Sequence, residues 1–272
     1  MTVSAEDFEF VRTWLRTRAA IALDPGKEYL VETRLQPVAL REGFDDLGAL
    51  VRRLRGGAPA HLEVAVVEAL TTNETSFFRD WKPFEALRQS ILPDLVARRA
   101  DARRLDVWSA ACSSGQEIYS LAMLLREHFP QLASWELALH ATDLSTEMVE
   151  RTRAGRFTQL EVNRGLPAPL LVKYFKRDAD AWRIDPALRA LVRPAQLNLA
   201  GLWPTLPMMD LVFLRNVLIY FDVPTKKVVL DHLRQKLRPG GVLFLGTAET
   251  TLGIADGYVR AEAAGASFFR AA

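Results

Sequence analysis

Cysteine is nearly absent: Cys112 is the only one in 272 residues. An intramolecular disulfide is therefore excluded, and the composition suits a reducing cytosol. No stretch approaches the roughly 20 apolar residues that a membrane span needs. The start, with Glu6, Asp7 and Glu9, lacks the basic residues and apolar run of a signal peptide, so a cytoplasmic protein without membrane insertion is expected. Histidine is sparse. His61, His128, His140 and His232 are scattered without helical pairing, so no metal site is expected. A formal charge of +2 gives no argument for nucleic acid. The phosphate-binding patterns G-x-G-x-x-G and G-x-x-x-x-G-K-[ST] are missing, which argues against a dinucleotide or nucleoside triphosphate. So is the Asn-Pro-Pro-Tyr type of motif, since Asn216 is followed by Val217 and Leu218.

What is present divides in two. Residues 4–70 carry helical patterning only. Ser4 and Asp7 form a capping signal before Phe8, Val11 and Leu15. Further helices are expected around Leu30–Val38, Leu47–Leu54 and Leu62–Leu70, with Pro37 bending or ending the second. From Val11 to Arg55 there are eight arginines and one lysine against six carboxylates. That excess is either a solvated helix face or a docking surface for an acidic partner.

After about residue 100 strands alternate with helices. Strands are read at 105–109, 137–142, 210–214 and 242–246, and helices at 116–128, 146–154 and 225–237. A hairpin over 258–269 turns near Gly265. The alternation predicts a mostly parallel sheet covered on both faces. Short strands at 174–175, 182–184 and 191–192 suggest a small insertion. The expected domains are 1–70, all-α; 71–100, a linker and connecting helix; and 101–272, α/β, with a β-subdomain over 170–195.

Ligands of an open parallel sheet bind at the carboxyl ends of its strands. Three segments put polar or small residues there. Ser109-Ala110-Ala111-Cys112-Ser113-Ser114-Gly115-Gln116-Glu117 joins a strand to a helix N-terminus. Asp143 follows Gly115 by 28 residues, where a carboxylate can accept both hydroxyls of a ribose; alone it reads equally as a helix N-cap. Arg215-Asn216 ends the third strand, with Tyr220 one turn on. Glu117 alone would complement a helix dipole, and Tyr220 would be a core aromatic. A nucleoside without a pyrophosphate accounts for all three segments together, and S-adenosylmethionine is the candidate. A fourth polar segment, Thr71–Asp80, lies between the domains, either capping a helix or closing over the cofactor.

At these residues the chain resembles the chemotaxis receptor glutamate methyltransferases, the CheR family. The resemblance rests on 71–79 (Thr-Thr-Asn-Glu-Thr-Ser-Phe-Phe-Arg), 107–117, Ala-Thr-Asp-Leu-Ser at 141–145, Asn198-Leu199, 214–222 and Leu237-Arg-Pro-Gly-Gly241. It implies an all-α N-terminal domain and a Rossmann-like methyltransferase domain with a seven-stranded sheet and a small β-subdomain. It also implies that Asn73, Thr75, Arg79, Glu117, Asp143, Asn198, Leu199, Arg215 and Asn216 hold S-adenosylmethionine. Tyr220 matches a tyrosine beside the methyl group, and Arg98, or its neighbour Arg99, is the nearest match to an arginine before the first strand. The implied partner is the acidic methylation region of chemoreceptor cytoplasmic helices, with the enzyme a monomer.

Two departures stand out. Ile118 replaces the proline that usually follows the glutamate. Lys176–Trp182 lacks the glycine-rich turn of members that bind a receptor's C-terminal pentapeptide, so weak or absent tethering is expected. A glutamate nucleophile, with a reference pKa of about 4.3, needs no general base, and the reaction reduces to in-line methyl transfer. The competing readings are a non-catalytic S-adenosylmethionine-binding regulator and a methyltransferase of this fold with another substrate.

Overall fold

The computed structural model describes residues 3–272. They form two compact units. The first comprises the described residues through Thr72 with Ile219–Lys226, the second Asn73–Leu218 with Lys227–Ala272.

The first unit is helical: α1 (Ala5–Ala19), α2 (Glu28–Arg41), α3 (Leu47–Arg55) and α4 (Ala60–Leu70). Ser4 caps α1 by accepting from the Asp7 amide, and Asp46 caps α3 by accepting from Ala49. Each helix buries one apolar stripe, for example Phe8, Val11, Leu15 and Ala19 on α1 and Leu47, Leu50, Val51 and Leu54 on α3. Pro37 does not end α2. The helix runs on to Arg41, because Val38 and Ala39 beyond the proline are buried and anchor the last turn despite the missing N–H.

The second unit begins with α5 (Lys82–Ala86) and α6 (Leu92–Arg98), joined by a π-helical turn over Leu87–Ile91. Its main sheet contains β1 (Arg104–Ala110), β2 (Glu136–Asp143), β6 (Val192–Gln196), β7 (Met209–Leu214), β8 (Leu237–Leu245), β9 (Tyr258–Ala263) and β10 (Ala266–Ala271), in the order β6-β2-β1-β7-β8-β10-β9. Pairings from β6 through β8 are parallel; β10 is antiparallel to both its neighbours. Leu105 to Ala110 and all of β7 are buried, as befits strands covered on both faces. Helices α7 (Gln116–His128), α8 (Thr146–Ala154) and α12 (Val223–Lys236) connect strands; α12 starts in the first unit. Ala264 and Gly265, with φ of 46° and 73°, make the two-residue turn between β9 and β10.

Two expectations about strands need correction. Arg238-Pro239-Gly240-Gly241 is not a loop before a strand. It lies within β8 as an irregularity of the ladder, since Leu237 pairs with Met209 but Val242 with Leu211. Nor does the segment at Leu191-Val192 belong to the small insertion. β6 extends the main sheet beside β2, and the separate three-stranded sheet is built from β3 (Arg156–Thr158), β5 (Ala181–Ile184) and β4 (Phe175–Asp178). The pairing that separates these strands is non-local and leaves no mark in short apolar runs. Short helices α9 (Gln159–Asn163), α10 (Ala168–Tyr174) and α11 (Pro186–Arg189) complete this insertion.

Candidate active site

Three strand ends converge. After β1 the chain turns through Ala111, Ser113 and Gly115, all left-handed, before α7 starts. The Cys112 amide donates to the Thr142 carbonyl at 2.8 Å, binding the turn to the end of β2. Asp143, 7% exposed, is fixed there by two backbone donors: the Ser113 amide at 2.8 Å and the Ser145 amide at 3.0 Å. Ser145, not Asp143, caps α8, accepting from the Met148 amide. The N-cap alternative for Asp143 is thereby removed.

Glu117, in the first turn of α7, reaches back rather than outward. Its Oε1 accepts from Ser109 Oγ at 2.7 Å and its Oε2 from Arg215 Nη1 at 3.0 Å. Arg215 directly follows β7, and its side chain is only 2% exposed. Its Nη2 also donates to the Arg79 carbonyl at 3.0 Å and to Asp80 Oδ2 at 2.5 Å. Its Nε is buried without a hydrogen-bond partner. The 71–80 segment is held at the same end: Ser113 Oγ donates to the Asn73 carbonyl at 2.8 Å, and the Phe78 amide to Ser120 Oγ at 2.9 Å. Thr75 is half-buried within it. Beyond β6, Leu197 donates to the Asp143 carbonyl, which brings Asn198 and buried Leu199 beside β2. Asn216, with φ of 59°, donates its amide to Glu249 Oε2 at 2.8 Å.

Backbone strain concentrates here. Of ten non-glycine described residues with left-handed φ, six are Phe78, Asp80, Trp81, Ala111, Ser113 and Asn216. Each costs roughly 1–3 kcal/mol, tolerated where the surroundings over-determine the backbone. A cavity of about 510 Å³ opens beside Arg215, Asp80, Lys82, Gly246 and Glu249.

Not every expected residue is at this end. Arg98 and Arg99 lie at the opposite, amino-terminal edge of the sheet. Arg98 donates to the Gly240 carbonyl and to Asp94, and Arg99 pairs with Asp210 near the start of β7. The seven residues of β1 put about 20 Å between the two edges at ~3.3 Å per residue. The expectation that Arg98 orients the substrate is therefore corrected. The same edge holds buried Asp106, which accepts from Arg104 at 2.8 Å and faces His140 at 3.4 Å. Burial raises the Asp106 carboxyl, but the His140 and Arg104 hydrogen bonds outweigh it and hold it below the usual range. Asp210 is raised, chiefly by burial. Tyr220 lies in the first unit, in a 3-10 turn over Leu218–Tyr220, and its carbonyl accepts from the Ala22 amide at 2.8 Å.

Glu249 escaped the sequence analysis, whereas Ser109 and Asp80 stood only as members of the polar segments 109–117 and 71–80. The one signal for Glu249 is its place three residues past Gly246, the glycine that follows β8. Among the described residues no group of His, Cys, Asp and Glu could hold a metal ion, and no helix is long and apolar enough to cross a membrane.

A mostly parallel sheet with an antiparallel terminal hairpin, and a carboxylate and a small-residue turn at adjoining strand ends, define the class as an S-adenosylmethionine-dependent methyltransferase. Comparison makes the assignment specific. Residues 6–71 match the CheR methyltransferase all-alpha domain and residues 73–263 the CheR methyltransferase SAM binding domain, so the chain belongs to the CheR methyltransferase family. Chemotaxis protein methyltransferase 1 of Pseudomonas aeruginosa is 40% identical over 279 residues, covering 100% of both chains. Chemotaxis protein methyltransferase Cher2 of Pseudomonas putida is 39% identical over 95% of each chain. The chemotaxis protein methyltransferase of Vibrio anguillarum is 37% identical over 94% of this chain and 93% of its own.

Proposed function

We propose that the protein transfers a methyl group from S-adenosylmethionine to glutamate side-chain carboxylates of methyl-accepting chemotaxis receptors, or of a related sensory receptor. The products are glutamate methyl esters and S-adenosylhomocysteine. The observation that carries this reading is the Asp143 carboxylate, oriented by the Ser113 and Ser145 amides at a strand end beside a small-residue turn.

The residues fit the cofactor. Asp143 offers acceptors for ribose hydroxyls, and the turn from Ala111 to Gly115 has no phosphate cradle. Arg215 Nε, a buried donor without a partner, costs roughly 1–3 kcal/mol until an acceptor arrives, which a ligand carboxylate would supply. Asn73, Thr75, Arg79, Glu117, Asn198, Leu199 and Asn216 form the rest of the binding set. The cofactor supplies an electrophilic methyl group. The chain's own contribution is to bind, orient and exclude water. Desolvation favours a reaction in which opposite charges neutralise, and the largely buried Arg215–Glu117 pair helps keep the geometry. An arginine gripping the nucleophile tightly would stabilise the ground state, so the orienting role falls to Tyr220.

The partner is the acidic methylation region of receptor helices, in keeping with the names of the relatives and with the arginine excess from Val11 to Arg55. The two-residue turn Ala179-Asp180 between β4 and β5 leaves no glycine-rich loop, which favours weak or absent pentapeptide tethering, and the enzyme acts as a monomer. Incubation with methyl-labelled cofactor and receptor signalling domains is expected to give base-labile labelled protein. A base-stable product, or binding without transfer, would defeat the reading.

A further inference from the structure

We propose that Glu249 is a positioning residue that shapes the cofactor-binding end of β7, an inference resting on the function proposed above. The ladder between β7 and β8 stops at the pair Leu214 and Leu245. The next amides have no strand partner, and one carboxylate oxygen collects two of them. Glu249 Oε2 accepts from Asn216 at 2.8 Å and from Gly246 at 2.7 Å. Glu249 is itself fixed by its amide, which donates to the Gly246 carbonyl at 3.0 Å. The side chain thus continues the union of two strands where backbone pairing ends.

The local geometry needs this brace. Asn216 is left-handed, with φ of 59°, and a non-glycine residue keeps that conformation only if its surroundings impose it. Gly246 completes the fit: a Cβ there would lie 2.7 Å from Glu249 Oε2 and 2.8 Å from Asn216 Nδ2. Asn216 directly follows Arg215, whose guanidinium joins Glu117 to the 79–80 segment. Releasing Asn216 would therefore re-aim two of the proposed cofactor contacts without removing either.

S-Adenosylhomocysteine binding to the full chain, measured by calorimetry beside thermal unfolding, tests this. Glu249→Ala is expected to weaken binding about tenfold, since two strand-end donors lose their acceptor. Glu249→Gln, which keeps an acceptor oxygen, should restore most of that loss. If Glu249→Ala fails to fold, Glu249→Asp, which keeps the charge on a side chain one methylene shorter and so draws it back from both amides, should show the same weakening. Folded Glu249→Ala, or in its place folded Glu249→Asp, binding like the unaltered protein would overturn the proposal, as would a folded Glu249→Gln that restores nothing. Failure of the unaltered protein to bind would instead count against the cofactor reading itself.

Discussion

Arg215 and Glu117 form an ion pair at 3.0 Å with side chains 2% and 12% exposed, linking the end of β7 to the first turn of α7. Without Glu117 the guanidinium keeps Asp80 and the Arg79 carbonyl but loses the acceptor of Nη1, at a cost of about 1–3 kcal/mol. Glu117→Ala is expected to lower unfolding free energy by an amount in this range and to weaken S-adenosylhomocysteine binding. Denaturant unfolding of the two single variants and the double variant gives the check: the double should lose less than the sum of the singles, and strict additivity would show that the pair is not coupled.

Asp143 accepts from the amides of buried Ser113 and Ser145, so its loss should cost about 1–3 kcal/mol of stability besides the ligand. For Asp143→Ala we expect no measurable S-adenosylmethionine binding by calorimetry in a folded protein. Retained affinity would end the ribose assignment.

Tyr220 is assigned to the reaction rather than to cofactor binding. Tyr220→Phe should reduce kcat by roughly 10- to 100-fold, the scale of losing one hydrogen bond in the transition state, with S-adenosylmethionine affinity changed less than threefold or so. An unaltered turnover number would refute that role.

The two arginine positions separate cleanly. Arg98→Ala, at the amino edge, should leave S-adenosylhomocysteine affinity as it was, whereas Arg79→Ala should weaken it by about tenfold or more. The reverse ranking, read by calorimetry, would restore Arg98 to the site.

Acid stability should depend on Asp106. Its folded carboxyl is held below its ordinary value of 3.8, so its contribution is complete above about pH 4 and is lost as pH falls through the folded value. Asp106→Asn should therefore cost about 2–4 kcal/mol near pH 7 and progressively less below pH 4. Parallel pH profiles of unfolding for the two proteins would contradict this.

Much of the fold was legible in residue order. The stripes of α1 and α3, the apolar runs of β1 and β7 and the turn at Gly265 are local signals, each set by the period of its own element. Asp143, Glu117 and Arg215 were legible too, because strand-to-helix turns put their last polar residues at one edge of a parallel sheet. Other features were not. Val192 reads as a short apolar strand wherever it lies, Pro37 reads as a helix bend or end, and Arg98 reads as an arginine before the first strand whichever edge it faces.

The sequence by itself determined the alternation of strands and helices, their caps, and which polar residues fall at strand ends, since these follow from spacing and propensity along the chain. Tertiary structure alone decided that β6 joins β2, that Arg98 faces the far edge, and that one oxygen of Glu249 unites Asn216 with Gly246. Such choices depend on pairing and packing between segments distant in sequence, where burial and the need to satisfy every backbone donor select one partner among many.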